Sequence, residues 1–72
     1  MLVAASQRER ITGVIRQSPI PALRLLSVNE IDSTIVLKGT VGSYYHKQLA
    51  QELVKPLLDG KQLINSVDVS SK

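Results

Sequence analysis

Residues 35–41 constrain the fold more than any other stretch of this chain. Ile35, Leu37, Gly39 and Val41 alternate with Val36, Lys38 and Thr40. Strict period 2 marks a strand with one buried and one wet face. Such a strand needs neighbours, and its apolar side needs a covering layer. The chain has 72 residues to supply both. That is one small domain, which on folding buries about 60 % of the surface its unfolded chain exposes. Cysteine is absent, which removes disulfides, thiolate metal ligands and a thiol nucleophile. Packing alone, or packing with a partner, must hold the fold.

The flanking segments supply the other elements. Ser6-Gln7-Arg8-Glu9 reads as an S-x-x-E capping box. Ile11, Val14 and Ile15 follow on one helical face, Gly13 weakens that helix by about 1 kcal/mol relative to Ala, and Ser18-Pro19 ends it. The pattern predicts a helix over 7–17. After the stiff Pro19-Ile20-Pro21 connector, the apolar run of Leu23, Leu25, Leu26 and Val28 predicts a strand over 22–30. Asn29 to Ser33 carry turn chemistry, so this strand and 35–41 make an antiparallel hairpin. Ile35, Leu37 and Val41 are expected to face the core, and Lys38 and Thr40 to face water.

Ser43 is a sound N-cap for a second helix that buries Leu49, Ala50, Leu53, Val54 and Leu57. Pro56 removes the hydrogen bond to the Glu52 carbonyl, at a cost of about 3 kcal/mol inside a helix. A kink or an early end is expected there, with Gly60 closing the element. Leu63, Asn65, Val67 and Val69 share one parity of a last strand over 62–70. The result is a single α+β domain over residues 6–70, in the order αββαβ. Both helices cover one face of a three-stranded sheet, and 1–5 and 71–72 are expected as flexible termini.

The residues offer little for bond-making chemistry. His46 is the only histidine, without a nucleophile or a second ligand at workable spacing, and reads as a boundary residue of the second helix. The six carboxylates form no activated pair. Glu30 and Asp32 share a turn but fall short of the oxygen ligands a calcium loop needs. Gly39-Thr40-Val41-Gly42 matches a bare G-x-x-G, yet it leads from a strand into a helix, whereas in KH domains such a loop joins two helices. Gly39 is more simply a strand position where a helix packs too close for a side chain. We therefore expect no catalytic site, no metal and no cofactor. Tyr44 and Tyr45 are the only aromatics. Neither lies on a strand, which makes nucleic acid an unlikely partner. Tyr45, four residues before Leu49, is expected against the edge of the core, with Tyr44 half exposed.

The strand Ile35-Val36-Leu37-Lys38-Gly39-Thr40-Val41 resembles the v-x-L-x-G-x-V strand of the BON domain, the bacterial OsmY and nodulation family. Ser43, Ala50 and Gly60 fit the pattern that follows. Leu63-Ile64-Asn65-Ser66-Val67-Asp68-Val69 looks like the family's closing V-x-N-x-x-x-V strand. The resemblance covers residues 6–70 and implies a mixed sheet, with Gly39, Ser43, Ala50, Gly60 and Asn65 as fold determinants. It also implies peripheral association with phospholipid membranes, in an envelope or osmotic-stress context. The chain departs from the family in its single copy and in Pro56.

The net charge is +3, modest for a dedicated nucleic-acid binder but suited to an anionic bilayer. The expected function is a non-enzymatic module that binds such a surface weakly through Arg8, Arg10, Arg16, Lys47 and Lys55, with Tyr44 as an anchor. Three or four basic residues at about 1 kcal/mol each reach roughly millimolar affinity, so useful avidity calls for a second copy. The alternative is a protein–protein or oligomerisation module that works through an exposed sheet edge. Met1 to Ser6 lack the basic and apolar regions of a signal peptide. The expectation is a cytoplasmic chain as written, and a periplasmic or membrane-associated one if it is excised from a longer exported protein.

Overall fold

The computed structural model describes residues 6–70, so the termini expected to be flexible lie outside the described residues. Ser6 caps the first helix, α1 (Gln7–Arg16), reciprocally: the Glu9 N–H donates to Ser6 Oγ at 3.1 Å and the Ser6 N–H to Glu9 Oε1 at 2.9 Å. Ile11 and Ile15 are its fully buried residues. The helix ends one residue sooner than expected, with Gln17 as C-cap.

The segment predicted as a strand over 22–30 is divided. Its first part is a single helical turn, α2 (Pro21–Arg24), and only then does strand β1 (Ser27–Ile31) begin. Pro21 sits in the first turn, where its missing N–H costs nothing. Leu23 and Leu26, three apart, both point inward, whereas Leu25 is 83 % exposed. A strand would have put Leu23 and Leu25 on one side and Leu26 on the other.

β1 pairs antiparallel with β2 (Thr34–Val41) through a two-residue turn, Asp32-Ser33, tighter than the turn expected over 29–33. β2 buries Ile35, Leu37 and Val41 and exposes Lys38 and Thr40, as its alternation predicts. Val36 is also buried, on the face away from the helices, where Asn29 and Ile64 flank it in register. Gly39 has φ +137°, and a Cβ there would lie 2.7 Å from Leu26 Cδ2. The close approach expected at Gly39 is real, but Leu26 makes it rather than a helix.

Ser43 accepts from the His46 N–H at 3.2 Å and opens α3 (Tyr44–Val54), which buries Ala50 and Val54 completely. The expected early end at Pro56 is present: α3 stops at Val54 and a 3-10 turn (Lys55–Leu57) takes over. Gly60, at φ +87°, follows Asp59 in a tight turn closed by the Lys61 N–H on the Leu58 carbonyl at 3.0 Å. β3 (Gln62–Val69) then pairs parallel with β2. The sheet is mixed, in the order β1-β2-β3.

α1 and α3 pack against each other and on one face of this sheet, α1 over β1 and α3 over β3 and β2. Asn65 joins the layers. Its Nδ2 donates to the Lys47 carbonyl of α3 at 3.0 Å, and its Oδ1 accepts the Val67 N–H at 3.2 Å.

Candidate functional site

The strand directions give the domain two distinct ends. At one, the Asp32-Ser33 turn, the 3-10 turn and the start of α1 come together, and the Gln7 side-chain amide donates to the Leu57 carbonyl. At the other lie the end of α1, α2, the Gly42-Ser43 link into α3, and the end of β3. There the Ser70 N–H donates to the Val41 carbonyl at 2.8 Å.

Charge divides along this axis. The α2 half holds Arg16, Arg24, Lys38 and Lys47 against Asp68 alone. The hairpin half holds Arg8, Arg10, Lys55 and Lys61 against Glu9, Glu30, Asp32, Glu52 and Asp59. Lys61 is bonded to Glu30, and Lys55 lies 3.7 Å from Glu52 on the surface. Arg10 lines a shallow depression with Pro56, Leu57 and Asp59. The Glu9 carboxyl is held below its ordinary value by the hydrogen bonds from the backbone and then the side chain of Ser6.

Of the six residues expected to bind an anionic surface, the fold brings Arg16, Lys47 and Tyr44 to the α2 end. It sets Arg8, Arg10 and Lys55 at the other. Arg16 is partly committed: its Nη1 donates to the Leu26 carbonyl at 3.0 Å and to the Arg24 carbonyl, which fastens α2 to the end of α1. Lys47 Nζ lies 5.8 Å from the centre of the Tyr44 ring, within cation–π range.

The α2 end also carries residues the sequence reading did not select. Leu25 is 83 % exposed, Tyr44 74 % and Tyr45 68 %. The placement of Tyr45 against the core edge is therefore wrong. The buried face of α3 is centred on Ala50 and Val54, and Tyr45, five residues before Ala50 and nine before Val54, points about 160° away from its centre. Arg24 and Lys38 join the same end, both exposed. Helical spacing of Leu23 and Leu26 behind Pro21 was the available signal for Leu25 and Arg24. His46 is half-buried beside Tyr45, with ring centres 5.9 Å apart and Nδ1 enclosed without a hydrogen-bond partner.

Among the described residues, no group of three or more His, Asp or Glu side chains converges as a metal site would. No described helix is long and apolar enough to cross a membrane. No protein-family model matches the chain, and no curated protein sequence matches it.

Proposed function

We propose that this chain is a non-enzymatic module that associates with anionic phospholipid surfaces through its α2 end. One observation carries the reading: Leu25, Tyr44 and Tyr45, the three most exposed large apolar side chains among the described residues, lie at the end where basic residues gather and carboxylates are scarce. Tyrosine suits the interface between headgroups and acyl chains because its ring is apolar and its hydroxyl wet. Basic side chains around it meet lipid phosphates, at about 1 kcal/mol each near an anionic leaflet. Insertion of Leu25 adds about 1.5–3 kcal/mol at full burial. With three or four cations the gross sum is about 5–7 kcal/mol, which corresponds to roughly ten to a few hundred micromolar. The resemblance of β2 and β3 to BON-domain strands supports the same function, and we extend the proposal to that family and to its envelope or osmotic-stress setting.

The test is an NMR titration of labelled protein with neutral and with anionic vesicles, at low and high salt. Perturbation at Arg24, Leu25, Tyr44, Tyr45 and Lys47, with anionic lipid only and weakened by salt, is the expected result. Silence at millimolar anionic lipid overturns the lipid reading. Perturbation centred on Arg8 and Arg10 retains the lipid and overturns the surface.

A further inference from the structure

β3 forms one outer edge of the sheet. Its even-numbered backbone groups turn toward β2: the Gln62 N–H donates to the Ser33 carbonyl at 3.2 Å, and past the strand's end the Ser70 N–H donates to the Val41 carbonyl at 2.8 Å. Alternation turns the N–H and C=O of Leu63, Asn65, Val67 and Val69 away from the sheet. Two N–H groups along this edge are already taken. That of Lys61 is bonded to the Leu58 carbonyl, and that of Val67 to Asn65 Oδ1 at 3.2 Å. The bond from Asn65 Nδ2 to the Lys47 carbonyl holds the Asn65 side chain in position. Between these two stops, Leu63 and Asn65 keep both backbone groups open, with no partner strand among the described residues.

The span from Gln62 to Val67 carries no charge and no proline, two devices that commonly protect an edge. Ile64 lies in its middle, 51 % exposed on the face away from the helices, in register with Val36.

We propose that this edge pairs antiparallel with β3 of a second copy of the chain, about a twofold axis through Ile64. The register follows from the open groups. An axis at Ile64 sets Leu63 opposite Asn65 of the second copy, and Asn65 opposite its Leu63. Each pair exchanges two N–H to C=O bonds. Every open group between the stops is then used, and the Asn65–Val67 bond stays closed. An axis at Leu63 calls on the committed Lys61 N–H, and an axis at Asn65 or Ser66 calls on the committed Val67 N–H. With the axis at Ile64, the two Ile64 residues face each other at a non-hydrogen-bonded position, where Cα atoms approach to about 4.5 Å. Val36 and Ile64 of both copies then form one apolar stripe across a six-stranded sheet. Such a dimer points its two α2 ends in opposite directions, so the proposal stands apart from the lipid reading.

The chain's lack of cysteine makes the register directly testable. Ile64→Cys and Ser66→Cys variants are oxidised under mild conditions at millimolar concentration, once circular dichroism confirms their folding. The Ile64→Cys dimer should form at least tenfold faster. Unmodified protein should also show concentration-dependent protection of the Leu63 and Asn65 amides against hydrogen exchange, with the Val67 amide unchanged. Equal or slow cross-linking of both variants, faster cross-linking through Ser66→Cys, or a mass that stays monomeric to millimolar concentration overturns the proposal.

Discussion

Among the glycines, Gly39 is the one with no room for a side chain. Its φ of +137° is a conformation that other residues rarely adopt, and Leu26 fills the space a Cβ would need, with Cδ2 at 2.7 Å and Cα at 3.4 Å. The leucine backbone is in ordinary contact, but its side chain is 1 % exposed within the core and has little room to turn aside. Gly39→Ala should destabilise the domain by about 2–3 kcal/mol, read as a lower urea midpoint at unchanged slope. Glu9 makes a smaller, pH-dependent contribution. Its folded pKa lies below the ordinary 4.5, so the capping-box bonds support the fold fully above that pH. They are lost as pH falls through the lowered value. Glu9→Gln, which removes the titrating carboxyl, should flatten that part of the acid limb of a stability–pH curve, and an acid limb unchanged between the two proteins would show that the cap does not set it. These residues were legible because each acts through a local pattern: a cap four residues long, a glycine in an alternating strand. The partner of Gly39 was not legible. Leu26 reaches it only through the α2 turn, thirteen residues earlier in the chain.

Among the elements, the β1–β2 turn holds the clearest stored strain. Asp32 at φ +47° and Ser33 at φ +62° are both left-handed without being glycine. Type I′ turns of this kind prefer glycine at the second position. Ser33→Gly should relieve more strain than it adds in unfolded-state freedom, for a net gain of about 0.5–1 kcal/mol. For a domain this size that is a rise in Tm of roughly 2–8 °C, measured by thermal denaturation. A fall in Tm would mean that the serine side chain earns its place by a contact of its own. α1, β2, α3 and β3 could be read from the chain because each is long enough to show its period. α2 left only a faint trace: one turn of four residues shows the Leu23–Leu26 spacing behind Pro21 once, and among closely spaced leucines it looks like an apolar strand.

For the whole molecule, the separation of charge matters more than its sum. Arg24→Gln with Lys47→Gln removes two cations from the α2 end and should weaken binding to anionic vesicles about 30-fold, from about 1 kcal/mol per charge. Arg10→Gln with Lys55→Gln makes the same change in net charge at the hairpin end and should cost less than about threefold. Equal losses from both pairs, measured by vesicle sedimentation, would reduce the interaction to net charge alone. All six candidate binding residues were legible as basic or aromatic, and three of them, Arg16, Tyr44 and Lys47, lie at the α2 end. Which of them share an end was not legible, because that depends on α1 and α3 running in opposite directions across the sheet.

The parallel pairing of β2 with β3 also governs the order in which the molecule can assemble. The β1–β2 hairpin closes over two residues, but β3 reaches β2 only after the twenty intervening residues have formed α3 and its turns. Val67 contributes to the core from this late-arriving strand. A nascent chain paused before β3 therefore holds a hairpin whose central strand is bare along one edge, with Ile35 and Leu37 incompletely covered. Closure of that long loop comes before the contacts that repay it. Completion of the core follows release of β3 from the ribosome, and until then the vulnerable edge belongs to β2.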